Sequence, residues 1–308
     1  MNAAAAAGML EPMPNWKPEH LGEHTWLLAT GVNVGLWESP EGVVLIDSGG
    51  DKESGRQIRQ ALEEHGWILR LIVNTHSNAD HVGGNAYLQK HTGCRIASTR
   101  LESAFITDPV LEPSFLWGAL PFRELRGKFL EAKPSVVDLI LPESGPIPGT
   151  ALEAVPLPGH FLQMLGVLSP DGVLFAGDAL FGEEILAKHP VFFLYDVAAH
   201  LSSLERLESL AVRWVVPGHG RPVSEVGALV AANRAALQRT AEAVSSFCSR
   251  PSGFEEILAE LCRQFGIELD ASQYVLVGGT LRAYLTWLCD RGVLSPSFEG
   301  GRMLWRAD

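Results

Sequence analysis

The sequence predicts a mixed α/β fold built from two successive strand-and-helix halves, followed by a small C-terminal unit of helices and a β-hairpin. Three observations carry this. Short apolar runs such as Val43 to Ile46 and "LRLIV" (69–73) alternate with amphipathic stretches, the pattern of buried strands joined by helices. Polar residues able to bind a metal recur just beyond the ends of those strands. After Arg250-Pro251 the alternation gives way to two helical patterns and a hairpin pattern. A four-layer αββα sandwich is one architecture that fits the first two hundred residues, and periodicity alone leaves other α/β layouts open.

Taken in order, residues 24–39 and 42–50 read as strands joined by a Pro-Glu-Gly turn, the second ending at Asp47-Ser48-Gly49-Gly50. Residues 52–66 suit a helix with Ile58, Ala61 and Leu62 on one face and Gly66 beyond its end. Residues 68–76 form the next strand, a helix follows from Ala79 to near Gly93, and "CRIAST" is again a strand. Residues 101–133, rich in Phe, Leu and Pro, are expected to supply helical pieces that wall or cover a site. "VVDLILP" and "ALEAVPLPGH" are strands, and "GVLSPDGVLFAGDAL" is a hairpin turning at Asp171-Gly172. Leu201, Leu204, Leu207 and Leu210 mark a helix over 197–211, "RWVVPGHG" a last strand, and 222–249 a long helix. Beyond it, Phe254, Ile257, Leu258, Leu261 and Phe265 line one helix and Leu281, Leu285 and Leu288 another, before the hairpin pattern of 292–307. The expected organisation is a mobile tail over 1–22, a catalytic domain over 23–222, a connecting helix over 223–250 and a winged-helix-like domain over 251–308.

Composition limits the function classes. The chain of 308 residues carries a net charge of −12 and is 46% hydrophobic, a globular balance that disfavours non-specific binding to nucleic acid or anionic membrane. The C-terminal unit has eight acidic residues against five arginines over 251–308, where a DNA-binding module would be basic. The four cysteines, Cys94, Cys248, Cys262 and Cys289, form no CxxC pair and read as reduced thiols. No apolar run is long enough for a transmembrane helix, and the start lacks the basic and apolar regions of a signal peptide. The expectation is therefore a cytoplasmic protein acting on a small molecule, with no nucleic-acid or membrane partner and with a homodimer as one allowed assembly.

The chemistry concentrates in "NTHSNADHVGGN" (74–85), which holds His76, Asn78, Asp80 and His81 where a strand turns into a helix. Three later strand ends carry "PGH" at His160, "GD" at Asp178 and "PGH" at His219, each with a glycine immediately before the polar residue. Imidazole and carboxylate together suit zinc, iron or manganese. A glycine beside each allows close backbone approach where packing alone would not require it. Asp47 ends a buried strand and reads either as a turn former or as a partner orienting a ligand histidine. His20, His24, His65, His91 and His200 have no comparable context and read as surface or structural residues.

This set resembles the metallo-β-lactamase-fold hydrolases, whose signature His-x-His-x-Asp-His is followed by Gly-His, Gly-Asp and Gly-His at later strand ends. The resemblance spans about residues 23 to 222 and implies the αββα sandwich with a metal site between its sheets. It implies one metal held by His76, residue 78 and His160, a second by Asp80, His81 and His219, and Asp178 between them. Zinc, one or two per chain, is the implied cofactor, with iron or manganese as alternatives, and Asp80 would both bind metal and orient water. The sequence departs from the signature at Asn78, since a neutral amide is a poorer zinc ligand than imidazole. Three readings follow. Both metals bind with Asn78 as a hydrogen-bonding neighbour, one metal binds at the intact second position, or iron binds through His76, His160 and Asp178 as in persulfide dioxygenases. The expected activity is hydrolysis of an ester, thioester, lactone, amide or phosphoester, against an iron-dependent oxidoreductase or a non-catalytic regulator. Lys188, His189 and Tyr195 are candidates to meet the substrate.

Overall fold

The computed structural model describes residues 16–307. The first sheet has seven strands in sequence order: β1 (Glu19–His20), β2 (Thr25–Leu28), β3 (Val34–Ser39), β4 (Gly42–Ile46), β5 (Leu69–Val73), β6 (Arg95–Ser98) and β7 (Leu139–Ile140). The second has five: β8 (Gly145–Pro146), β9 (Glu153–Pro156), β10 (Leu165–Leu168), β11 (Val173–Phe181) and β12 (Trp214–His219). Of the tail expected over 1–22, residues 1–15 lie outside the described residues, while Glu19 and His20 pair with Leu27 and Trp26. Ordered pairing therefore begins inside the segment expected to be mobile. The single long strand expected over 24–39 is a hairpin, β2 and β3, because the chain turns over residues 29–33.

Period-two alternation sets the layers. On β4, Val44 and Ile46 face the second sheet, while Val43 and Leu45 face the helices. The apolar layer between the sheets includes Leu27, Val73 and Ala97 from one side and Leu165, Phe175 and Val216 from the other. Helices α1 (Lys52–Glu64), α2 (Ala79–Val82) and α3 (Asn85–Thr92) follow β4 and β5, and Ile58, Ala61, Leu62 and Leu88 pack on the outer face of the first sheet. Helices α4 (Arg100–Thr107) and α5 (Leu111–Trp117) and a short 3-10 turn (Arg123–Arg126) occupy the stretch expected to wall the site. Helices α6 (Glu183–Lys188), α7 (Val197–Ser209) and α8 (Gly227–Phe247) follow β11 and β12, and all three bury side chains in the cluster that covers the second sheet. This is the αββα arrangement. The turn at Asp171 ties the sheets at one end, its carboxylate accepting from His24 N at 2.8 Å and Thr25 Oγ1 at 2.6 Å.

The C-terminal residues form α9 (Phe254–Phe265), α10 (Ala271–Asp290) and a three-stranded sheet of β13 (Ser252–Gly253), β14 (Leu294–Glu299) and β15 (Arg302–Ala307). They share one continuous core with the second sheet's helices: Leu258, Leu281 and Leu285 belong to the same buried cluster as Leu180, Leu204 and Leu237. Burying Leu258, Leu281 and Leu285 at about 1.5–3 kcal/mol each fixes α9 and α10 against the sandwich. Among the described residues no helix is long and apolar enough to cross a membrane.

Candidate metal centre

The strand ends expected to carry ligands converge at one edge of the sandwich. β5 runs out at Val73 and delivers His76, the one-turn helix α2 presents Asp80 and His81, and β11 carries Asp178. β12 ends at His219, and the loop after β9 brings His160. The glycines before the last three make these approaches feasible. A Cβ on Gly159, whose φ is +125°, would meet His200 N at 2.2 Å, and one on Gly218 would meet Asp178 Oδ1 at 2.0 Å. No side chain fits at either position.

The hydrogen bonds define what the four imidazoles present. His81 Nδ1 lies 2.8 Å from Asp47 Oδ2, His160 Nδ1 2.9 Å from the Phe193 carbonyl and His219 Nδ1 2.7 Å from the Gly31 carbonyl. Each of these partners is an acceptor, so each Nδ1 carries the proton. His76 Nδ1 lies 3.0 Å from Thr75 Oγ1, whose own hydrogen goes to Asp47 Oδ2 at 2.7 Å, so it also donates. All four rings therefore turn Nε2 toward a common centre, the atom a metal would take. Asp178 lies among them, with Oδ1 3.3 Å from His81 Nε2 and Oδ2 3.5 Å from His160 Nε2 and 3.7 Å from His219 Nε2. Asp80 Oδ2 is 3.2 Å from His219 Nε2.

The residues fit a metal on an observation independent of family. His76 Nε2, His81 Nε2 and Asp178 Oδ1 are buried and have no hydrogen-bond partner. A buried polar atom left without a hydrogen bond costs about 1–3 kcal/mol, and a cation here would join all three. Donor atoms of Asp80, His81 and His219 lie within 4.8 Å of one another, the grouping expected for the second position, and those of His76, His81 and Asp178 form another such group. His160 joins through Asp178 and through Asn78, whose Oδ1 is 3.1 Å from His160 Nε2.

Electrostatics follow from this crowding. Burial pushes the His76 and His160 pKa values down. At His81 and His219 burial acts the same way, but neighbouring carboxylates, Asp178 foremost, overcome it and raise His81 well above the usual range and His219 to about 9. Burial would raise Asp178, yet the charges of His219 and His81 hold it well below the ordinary carboxylate value.

Asp47 stands at the turn after β4 and against His81. Its φ of +61° makes the turn, and its carboxylate takes Thr75 N, Thr75 Oγ1 and His81 Nδ1. Two carboxyls were not singled out in the sequence. Glu102 is fully buried and accepts from Ser77 N, Ser77 Oγ and Gln163 N, clamping the His76 loop to the His160 loop. Burial pushes it up to about 7, against the pull of those bonds. Glu112, 4% exposed, accepts from Asn78 Nδ2 at 2.7 Å, and burial raises it well above the usual range. The available signal was spacing: Glu102 and Glu112 each precede a buried apolar residue, Ile106 and Leu116, by four positions and so share its helix face.

The centre forms the floor of a cavity of about 400 Å³. Its walls include Phe129, Leu130, Phe192, Phe193, Leu276 and Val277, with Lys188 and His189 also on the lining. Leu276, Val277 and Gln273 come from α10, so the C-terminal unit closes the pocket. Tyr195, expected near the substrate, is not among the lining residues. Its backbone N–H is bound to the carbonyls of Gly159 and His160, and its ring lies against Phe115, 45% exposed.

Comparison with known proteins agrees with this geometry. Residues 27–219 match the metallo-beta-lactamase superfamily. A hydroxyacylglutathione hydrolase of Haemophilus influenzae is 27% identical over 149 residues, covering 47% of this chain and 65% of the relative. An atrochrysone carboxyl ACP thioesterase of Aspergillus fumigatus is 26% identical over 211 residues, covering 67% and 53%. The chain thus spans less than two thirds of the length of either relative. A beta-lactamase domain protein from Burkholderia ambifaria has the same fold, with a TM-score of 0.74 at 20% identity over 98% of this chain and 96% of that one.

Proposed function

Because the chain belongs to the metallo-beta-lactamase superfamily, we propose that it is a metal-dependent hydrolase of small acyl substrates, a thioester or ester with an apolar acyl group being the preferred class. The observation that carries this is the convergence of four Nε2 atoms and two carboxylates on the floor of an apolar-walled cavity. His76, Asp80, His81, His160, Asp178 and His219 would hold one or two divalent ions, and a nitrogen-rich set with oxygen donors favours zinc. Bound there, the metal would polarise a carbonyl oxygen and lower the pKa of water toward about 7.

The protein's own groups do the rest. Asp80 is the more open of the two carboxylates, 40% exposed at its side chain against 7% for Asp178, and it lines the cavity, where it can orient an incoming water. Asp47, Phe193 O and Gly31 O hold the rings of His81, His160 and His219 in one tautomer, so nothing reorganises when substrate arrives. Phe129, Leu130, Leu276 and Val277 take the acyl chain and exclude water. Lys188 and His189 offer donors to the carbonyl or to a leaving-group anion. The thioester preference is supported by a relative that is by name a thioesterase.

The test is a panel of acyl thioesters of graded length, aryl esters, a lactone and a phosphodiester, with metal analysis of protein purified without added metal. Zinc-dependent acyl hydrolysis, lost in Asp80→Ala, is expected. Iron at one per chain with oxygen uptake on persulfides would replace the hydrolase with an oxidoreductase. No turnover of any substrate by the metal-loaded protein would point to a non-catalytic regulator.

A further inference from the structure

Asn78 stands where the superfamily signature has histidine, and the structure surrounds it with partners that its position does not require. Asparagine is among the best helix N-caps, and Asn78 occupies the N-cap of α2, yet its side chain makes no capping bond. The amide is turned away from the helix. Nδ2 donates to Glu112 Oε1 at 2.7 Å, and Oδ1 faces His160 Nε2 at 3.1 Å.

The second contact is not an ordinary hydrogen bond. His160 Nδ1 donates to the Phe193 carbonyl, which can only accept, so Nε2 presents a lone pair. An amide oxygen and an imidazole lone pair then face each other with no proton between them. Two acceptors are held in this way when a cation joins them. Two ligands at ~2.0–2.1 Å from one tetrahedral ion stand about 3.3 Å apart, close to the separation here. The orientation in the structure sets Nδ2 on Glu112 Oε1 and Oδ1 on His160 Nε2.

Glu112 explains the orientation. It lies on α5, is 4% exposed, and among the described residues has no Lys or Arg ion pair. Asn78 Nδ2 is the partner that accounts for a buried carboxyl here. Glu112 Oε1, accepting from the amide NH2, fixes which end of Asn78 points inward. It also draws positive charge to the nitrogen and leaves the oxygen a better donor to metal.

We propose that Asn78 Oδ1 is the third protein donor of the first metal position, beside His76 and His160, and that Glu112 is the positioning residue that aims and strengthens it. Two residues, 34 apart in sequence, together replace one histidine. The proposal rests on the metal-binding part of the proposed function and is silent on substrate.

The test measures zinc stoichiometry and affinity by chelator competition, and the visible spectrum of the cobalt-substituted protein, in wild type, Asn78→Ala, Glu112→Leu, Glu112→Gln and the Asn78→Ala/Glu112→Leu double variant. Thermal melts of the metal-free proteins check folding. The expected result is two zinc sites in wild type, the weaker loosened about 10–100-fold in Asn78→Ala and in Glu112→Leu. Glu112→Gln keeps an acceptor oxygen for Nδ2 and restores part of that loss. The double variant is no weaker than Asn78→Ala, because Glu112 acts through Asn78. The cobalt spectrum changes in Asn78→Ala, which a purely structural role would leave alone. Wild-type zinc affinity and an unchanged cobalt spectrum in Asn78→Ala would overturn the proposal while leaving the metal centre intact. Additive losses in the double variant would remove Glu112 from it. A wild-type protein that binds no divalent ion would overturn the metal centre itself.

Discussion

Asp47→Asn isolates the charge on a residue that two functions share. The wild-type carboxylate takes Thr75 N on Oδ1 at 2.8 Å, and Thr75 Oγ1 and His81 Nδ1 on Oδ2 at 2.7 and 2.8 Å. Asparagine has the same shape and tolerates the φ of +61°. Its oxygen must stay on the Thr75 N side, because an NH2 there would strand a buried N–H at about 1–3 kcal/mol. The NH2 then faces His81 Nδ1 and Thr75 Oγ1, both of which become acceptors; the Thr75 hydrogen turns to His76 Nδ1, and both ring protons move to Nε2, the atom turned toward the metal. Loss of such an orienting partner costs about 10–100-fold in metal affinity, roughly 1.4–2.7 kcal/mol. At zinc one hundred times the wild-type Kd, binding stabilises wild type by about 2.7 kcal/mol, but a variant weakened 100-fold by only about 0.4 kcal/mol. The assay is chelator competition together with denaturant unfolding with and without zinc. Metal-free stability should change little in Asp47→Asn, whereas Asp47→Ala should also lose about 1–2 kcal/mol for a left-handed alanine. Wild-type zinc affinity in Asp47→Asn would refute the tautomer reasoning.

Three further outcomes follow from the same geometry. Gly218→Ala places a Cβ 2.0 Å from Asp178 Oδ1 and 3.1 Å from His81 Cε1, and should cost about 1–3 kcal/mol of metal-free stability and lower zinc content on purification. His200 is fully buried with neither ring nitrogen hydrogen-bonded, and burial pushes its pKa down to about 3 from an ordinary 6.5. Its contribution is therefore present above pH 6.5 and lost as pH falls toward 3, about 2 kcal/mol of it by pH 5. His200→Phe, beside Phe181 and Phe192, should flatten that acid slope in denaturant titrations of metal-free protein at pH 7.5 and 5, and an unchanged slope would count against it. Val277→Trp, on the α10 wall, should raise KM at least about tenfold for long acyl chains and leave short ones unaffected if the cavity takes the acyl group.

Legibility of this protein in its sequence tracks the distance over which each interaction acts. Val43 to Ile46 declared a strand with two buried faces, and Ile58, Ala61 and Leu62 a helix face, because periods of two and 3.6 follow from backbone geometry alone. The hairpin at 25–39 reads in the sequence as one strand because the turn over 29–33 lacks a two-residue hairpin signal. The C-terminal helices were legible as amphipathic, yet nothing local told that α10 would share its core with α7 and α8 and close the cavity. Tyr195 lay close in sequence to residues that do line it, but the backbone bonds at Gly159 and His160 place its ring on Phe115.

The sequence by itself determined which atoms are available to a metal. His76, Asp80 and His81 stand at or just beyond the end of β5, and His160, Asp178 and His219 each follow a glycine at or near a later strand, where the chain can point in few directions. Only the tertiary structure decided how those atoms are presented. Asp47 is 34 residues from the His81 it orients, and Glu112 is 34 from the Asn78 it aims. Such pairings depend on how helices and sheets pack across the core, which brings a buried carboxyl against a side chain far from it in sequence.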